Sequence, residues 1–337
     1  MERIRGLEEY VKNKEYREAL GLLKEKTENY ELLAQGEYNI NYAFTHSVTG
    51  KKLLLRVNCG SQMHLEHQIE YEAHALRLME GSGRTPKVLY VDGSKKILEH
   101  GVLVMEYLPG HAMDYHTELM LAAPCLADIH SVPIPESEEI LIHPQNPLKA
   151  ILEECEEMFK VYLESPLGDG EKKTYIRELL DLGWKREAEI QLESGYQCCI
   201  NTELNSTNLL INGEGKSNYL IDWEKPLFGN PAQDLGHFLA PTTTFWKTDV
   251  ILTSEEIEKF IDAYIKAVGN RFKTDMIREH THAFIPITCL RGITWCAMAW
   301  VQYQQPDKLI FNESTFKKLN AYLDMDFLKN IRGYLEP

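Results

Sequence analysis

The chain has 337 residues, 44% of them hydrophobic and 26% charged, enough to bury more than one core and unlike a disordered or fibrous polymer. Its 36 Lys and Arg against 51 Asp and Glu leave a formal charge of −15, which disfavours general affinity for nucleic acid or an anionic membrane and would suit a cationic small-molecule partner. No stretch of 18 uninterrupted apolar residues occurs, the charged opening MERIRGLEEYVKNKEYREAL does not read as a secretory leader, and seven scattered cysteines without a CxxC suit free thiols, so a cytoplasmic protein is expected.

Residues 1–28 place Leu7 and Val11, then Ala19 and Leu22–Leu23, at helical spacings broken near Asn13 and Lys14. From Tyr30 the period changes to two. Residues 31–34 and 38–44 read as a hairpin turning at Gly36, and residues 52–57 as a third strand, with Arg56 on the face opposite Leu55 and Val57. A glycine at such a turn allows close approach to a phosphate, and a planar guanidinium grips phosphate oxygens. Residues 64–80 repeat at three and four through Leu65, Ile69, Ala73 and Leu76, predicting a helix. Glu70 and Glu72 lie about 200° apart on it, so only one can face the strand cation. His64 and His67 have HxxH spacing but no third ligand, and no metal is expected there. Residues 88–91 and 102–107 read as strands, the second stopped by Leu108-Pro109-Gly110.

Helical periods dominate beyond Gly110, over residues 119–130, 148–163 and 171–192, with Pro133, Pro135, Pro144 and Pro147 marking a loop. Cys198 and Cys199 read as buried strand thiols. Two short apolar runs follow, 209–211 and 219–221, joined by Asn212-Gly213-Glu214-Gly215, which has hairpin chemistry. Glu203 lies in the polar loop before the first run, Asn208 is five residues on, and Asp222 follows the second run. One acid to receive a proton, and an amide oxygen with a second acid to hold Mg²⁺ across nucleotide phosphates, suit phosphoryl transfer. In the helical tail Trp295, Met298 and Gln302 share one face, and Trp300 and Tyr303 another. With Trp246 these aromatics are either core or the wall of a cage for a cationic group. His280 and His282 are expected at the surface.

Asn201-Thr202-Glu203-Leu204-Asn205-Ser206-Thr207-Asn208, followed by Ile221-Asp222-Trp223-Glu224, resembles the catalytic loop and metal segment of the aminoglycoside phosphotransferase and choline kinase superfamily. The usual loop there is His-Gly-Asp-Leu-His-x-x-Asn, and the resemblance runs from about Gly36 to His237. It implies an α+β, bilobal, protein-kinase-like fold. Residues 1–108 would form an antiparallel-sheet N-lobe with a helical extension over 1–28, and residues 109–337 a mainly helical C-lobe holding the catalytic loop and acceptor pocket. Glu203, Asn208 and Asp222 would be catalytic, with Mg²⁺ on Asn208 and Asp222. ATP would meet Gly36 and Asn41 of the short loop Gly36-Glu37-Tyr38-Asn39-Ile40-Asn41, Arg56 oriented by Glu72 with Glu70 as the alternative, and the hinge backbone of Met105, Glu106 and Tyr107. The stretch Leu126 to His130 resembles the family's helix end, which makes His130 structural. The stretch Gly229 to Gly236 resembles Gly-Asp-Pro-x-x-Asp-Leu-Ala, which makes Asp234 a brace for the catalytic loop; from the residues alone it could equally cap a helix.

Two departures fall in the chemistry: Asn201 stands where His is usual, and Glu203 where Asp is usual. They leave two readings. One is an ATP-dependent kinase phosphorylating a hydroxyl of a small molecule. The other is a catalytically impaired pseudokinase that binds nucleotide in a regulatory role, because a carboxylate displaced by about 1 Å can cost about 100-fold in rate. Retention of both metal-ligand positions and of the phosphate cation favours the working enzyme.

Overall fold

The computed structural model describes residues 4–24, 27–36, 38–190, 192, 195–305 and 312–336. Two short helices open the chain, α1 (Leu7–Tyr10) and α2 (Lys14–Leu20). The Asn13 side chain caps α2 by accepting from Glu15 N–H, and Gly21 in the left-handed region ends it. Strands β1 (Glu31–Gln35), β2 (Asn39–Thr45) and β3 (Lys52–Asn58) come next, then helix α3 (Gln68–Met79) and strands β4 (Val88–Asp92) and β5 (Gly101–Glu106). The five strands form one antiparallel sheet in the order β1-β2-β3-β5-β4.

Alternation along β5 divides two cores. Val102 and Val104 join Tyr42, Phe44, Leu53, Leu55 and Val57 beneath α1 and α2, whose Leu7, Tyr10, Tyr16 and Leu20 close that face. Leu103 and Met105 point the other way, into the core that holds Ile69, Ala73, Leu76 and Met79 of α3. Arg17 of α2 is tied to Glu28 in a buried ion pair of 2.8 Å. Helix α3 starts four residues later than its periodicity suggests. Residues 64–67 turn instead, with His64 at φ 57°, where a helix cannot propagate.

After a two-residue strand β6 (His111–Ala112) come helices α4 (Leu119–His130), α5 (Pro147–Glu164) and α6 (Gly170–Glu189). Strands β7 (Cys198–Ile200), β8 (Leu209–Ile211), β9 (Tyr219–Leu220) and β10 (Leu227–Gly229) carry the motif region, and helices α7 (Pro231–Leu239), α8 (Pro241–Thr248), α9 (Ser254–Val268), α10 (Ile277–Tyr303), α11 (Glu313–Tyr322) and α12 (Met325–Leu335) complete the fold. Strands β8 and β9 pair as the expected hairpin, with β6 on the far edge of β8, and β7 pairs with β10. The architecture is α+β and bilobal, a sheet lobe beside a mainly helical one. Helix α10 is long and apolar enough to cross a membrane by composition, yet 72% of that stretch is buried against the other helices. His280, on α10, is buried rather than at the surface: Asn230 Nδ2 donates to its Nδ1 at 2.8 Å, while His282 is exposed.

Candidate active site

The loop between β7 and β8 is held from below by one fully buried carboxylate. Asp234, on the first turns of α7, accepts the backbone N–H groups of Asn201 (2.8 Å) and Thr202 (2.6 Å), and its Oδ2 lies 3.2 Å from His130 Nε2. His130 is anchored in turn through Nδ1 to Tyr264 (2.8 Å). Asn201, standing where His is usual, uses both ends of its amide. Its Nδ2 donates to Asp222 O (2.8 Å) and its Oδ1 accepts from Glu203 N–H (3.1 Å), so it ties the loop between β7 and β8 to the segment that follows β9. Thr202 adopts φ 66° where the family's usual residue is glycine. A β-branched residue there is strained, at a cost of about 1–3 kcal/mol, offset by its two anchors: the N–H on Asp234 and the Oγ1 on Lys225 O at 2.7 Å.

Pairing of Leu209 with Leu220 sets Asn208 and Asp222 at the same end of the β8–β9 hairpin, where Ile221 N–H donates to Asn208 O at 2.9 Å. Asn208 Nδ2 donates to Glu203 O at 3.1 Å, which leaves the amide oxygen for a cation. Arg56 reaches the same point from β3. Its Nη1 lies 2.5 Å from Glu72 Oε1, 3.1 Å from Asp222 Oδ1 and 3.8 Å from Glu224 Oε1. Its Nε donates to Asn41 Oδ1 at 3.0 Å, so Asn41 acts on Arg56 as a positioning residue. Glu72 is the helix partner, and Glu70 is not. Burial would lower the Arg56 pKa, but Glu72, Asp222 and Glu224 together hold it above its ordinary value. Burial raises Glu72 to about 7, with Arg56 pulling the other way. Burial and the Asp222 charge push Glu224 up likewise. Both members of the Arg56–Glu72 pair thus shift upward, because Arg56 answers to three carboxylates and Glu72 to one cation.

Three carboxylates around one guanidinium leave a negative surplus, and a divalent cation fits it. Among the described residues no group of three or more His, Cys, Asp or Glu could hold a metal by itself, His64 and His67 included. A cation here would share its ligands between Asn208, Asp222 and phosphate oxygens. Gly36 N–H donates to Asn39 O at 2.9 Å and closes the hairpin turn; Glu37, within that turn, lies outside the described residues. Asn39, at the foot of the turn, lies against the Glu224 carboxylate. At the hinge Met105 is buried in the sheet and Glu106 N–H is taken by Lys87 O (3.0 Å), so Tyr107 is the first residue past the ladder. The chain then turns at Gly110, φ 136°, where a Cβ would stand 2.9 Å from Leu210 Cβ.

On the other side of Glu203 opens a pocket of about 310 Å³, lined in part by Glu203, Thr242, Trp246, Lys247, Arg291 and Trp295. Of the aromatics singled out in the sequence, Trp246 and Trp295 wall this pocket, edge to face with centroids 5.4 Å apart. Trp300 packs on Tyr162 and Tyr303 stacks on Phe316, away from it. Gly292 lets α10 press against α8: a Cβ there would lie 2.6 Å from Thr242 Cβ. Two cations flank the Glu203 carboxylate, Lys225 Nζ at 3.4 Å and Arg291 Nη2 at 4.0 Å, and Glu154 binds Arg291 at 2.9 and 3.2 Å. His237 lines the same space; burial, then Arg291 and Lys225, lower its pKa to about 3.

Glu224, Lys225, Arg291 and Glu154 were not singled out in the sequence. The first two directly follow Asp222-Trp223 and could have been suspected from adjacency. Arg291 had a clearer signal, being the only charged residue between Ala283 and Tyr303. A solitary charge in an apolar helix needs a partner or a task.

A comparison of the sequence with curated proteins finds no match. The model of the phosphotransferase enzyme family, APH, matches residues 29–279. Among solved structures the fold is similar to spectinomycin phosphotransferase in complex with ADP and spectinomycin, at 15% identity and a TM-score of 0.65 over 98% of both chains. It is similar to choline kinase from Cryptosporidium parvum Iowa II, at 13% identity and a TM-score of 0.65 over 98% of this chain and 97% of that one. It is also similar to Plasmodium vivax ethanolamine kinase, at 16% identity and a TM-score of 0.61 over 92% of this chain and 86% of that one. These likenesses establish the fold as protein-kinase-like. The family match spans well over half of the sequence and includes the braced loop and Asp222, and the chain therefore belongs to the phosphotransferase enzyme family.

Proposed function

We propose that the protein is an ATP-dependent kinase that phosphorylates a hydroxyl of a small molecule, using Mg²⁺. The observation that carries this reading is the convergence of Arg56 and Asp222 in one ion pair, with Glu203 joined to Asp222 through the bonds of Asn201 and Asn208 joined to Glu203 by its own amide. Similar folds crystallised with ADP and with AMP support a nucleotide in the cleft. In this reading residues 1–108 form the nucleotide lobe and residues 109–337 the acceptor lobe, and the protein works in the cytoplasm without a nucleic-acid or membrane partner.

Arg56, oriented by Glu72 and Asn41, holds the nucleotide phosphates. Asn208 and Asp222 would hold Mg²⁺, which when bound supplies positive charge across the phosphates. The acceptor hydroxyl oxygen attacks the γ-phosphorus, its proton passes to the Glu203 carboxylate, and ADP leaves. Asp234 keeps the loop backbone from moving during transfer. The extra methylene of Glu203 is matched by a loop with its own anchors, Asn201 and Thr202 Oγ1, which favours an adapted site over a decayed one.

A second reading, nucleotide binding without transfer, draws on one observation: Glu203 is already engaged by Lys225. Release of ADP from MgATP against a panel of hydroxylated acceptors separates the two. Acceptor-dependent turnover that Glu203→Gln abolishes is the expected result. Nucleotide binding with no turnover on any acceptor would favour the second reading.

A further inference from the structure

The overall charge of −15 suits a cationic acceptor, but the walls of the pocket beside Glu203 carry the opposite sign. Lys225, Arg291 and Lys247 line this space and the smaller cavity of about 130 Å³ that continues it behind Arg291, and their acidic company is Glu154 and Glu203. Glu154 is committed to Arg291 through two bonds. With both carboxylates ionised, two negative charges still face three cations. A cationic headgroup would meet net repulsion here and no acidic residue of its own. His237 gauges the local field: burial first, then Arg291 and Lys225, keep its ring neutral.

We propose that the acceptor is a small hydroxylated molecule bearing an oxyanion, a carboxylate or a phosphate, which seats on Lys225 and Arg291 while its hydroxyl meets Glu203 and its carbon skeleton packs on Trp246 and Trp295. The inference rests on the transferase reading above and names its substrate class. Geometry limits the spacer. Lys225 Nζ and Arg291 Nη2 lie 3.4 and 4.0 Å from the Glu203 oxygen, so the oxyanion and the reacting hydroxyl are only a few bonds apart. The arrangement also gives the Lys225–Glu203 contact a purpose. An oxyanion competes for Lys225 and Arg291 and frees the Glu203 carboxylate for the hydroxyl proton, so the base becomes available when the correct acceptor is seated.

The test is calorimetric titration of the full chain saturated with Mg²⁺ and a non-hydrolysable ATP analogue, which fills the phosphate sites of the nucleotide cleft. The probes are glycerate, glycerol phosphate, glycerol and choline. One of the two anions should bind about tenfold or more tighter than glycerol and choline, and whether it is glycerate or glycerol phosphate tells carboxylate from phosphate. Lys225→Met and Arg291→Met should each weaken that anion about tenfold or more while leaving glycerol and the ATP analogue unchanged. If Arg291→Met fails to fold because Glu154 loses its partner, the double variant Glu154→Gln with Arg291→Met removes both charges and should show the same loss. Choline or glycerol binding as tightly as the anions, anion binding indifferent to these variants, or no anion binding would each overturn the proposal. Binding is read without turnover, so a chain that binds anions yet transfers to nothing speaks against the kinase reading alone. Turnover of choline or glycerol without anion preference speaks against this inference alone.

Discussion

Two charge clusters face each other across the catalytic loop, and they are out of balance in opposite directions. On the nucleotide side three carboxylates, Glu72, Asp222 and Glu224, surround Arg56. On the pocket side Lys225 and Arg291 meet Glu203 and Glu154, and the exposed Lys247 at the pocket wall makes three cations against two carboxylates. Burying charge without balance is costly; the carboxylates round Arg56 are crowded in that way, whereas the unmatched cation of the second cluster, Lys247, is exposed. As proposed, a cation would complete the first cluster and an anion the second. Asn201 and Asp234 hold the seam between them.

The comparison breaks most severely at Arg56. Arg56→Met would leave Glu72 buried beside two further carboxylates and should cost about 3 kcal/mol of stability, read by urea denaturation, together with most ATP affinity. Arg17→Met is the control: it breaks a buried pair of similar geometry in the N-terminal helices, should cost comparable stability, and should leave nucleotide affinity of the folded protein intact. Glu203→Gln comes next. It keeps the side-chain size and removes the proton acceptor, so turnover should fall about 100-fold while ATP affinity is nearly unchanged. Glu203→Asp, the family's usual residue, should also be slower than wild type, because the loop anchors suit the longer side chain; a faster Asp variant would mean a decayed loop.

Asp222→Ala sharpens the contrast more gently. MgATP at about 100 times its Kd should stabilise the wild type by about 2.7 kcal/mol, and the variant should lose the Mg²⁺-dependent part of that gain in a thermal-shift titration. An unchanged Mg²⁺ dependence would remove Asp222 from the metal site. The smallest effect is a pH dependence on the acceptor side. His237 has a folded pKa of about 3, well below the ordinary value of 6.5, so its contribution to stability is present above pH 6.5 and is lost as pH falls toward 3. Because the ring keeps some solvent contact, the loss between pH 6.5 and 5.5 should be about 1 kcal/mol, and His237→Gln should flatten that part of the melting curve.

Most of the fold was legible because its signals are local. Alternation in β2, β3 and β5, turn chemistry between β8 and β9, and the periods of α4, α5 and α6 each lie within a dozen or so residues. The Arg56–Glu72 pair was reached through the family resemblance, since helical periodicity alone left Glu70 and Glu72 both open. Arg291 reaches Glu203 from a helix far along the chain, and nothing near either residue records the meeting. His280 read as a surface residue because its partner, Asn230, comes from the turn before α7. Net charge is a guide of another kind. It is a sum over the whole surface, and it says nothing of the sign within a pocket of about 310 Å³.

Helices α8 and α10 touch where Thr242 meets Gly292, one helical turn from the tryptophans that wall the pocket, Trp246 on α8 and Trp295 on α10. The spacing of the two indole walls therefore depends on a missing methyl group. Gly292→Ala would wedge the two helices apart and part the indole walls, without touching Glu203, Asn208, Asp222 or the braced loop. The spacing of the pocket walls is thus set at a position apart from the residues around Glu203, and a lineage or a protein engineer could retune it by a single substitution while those residues stay intact.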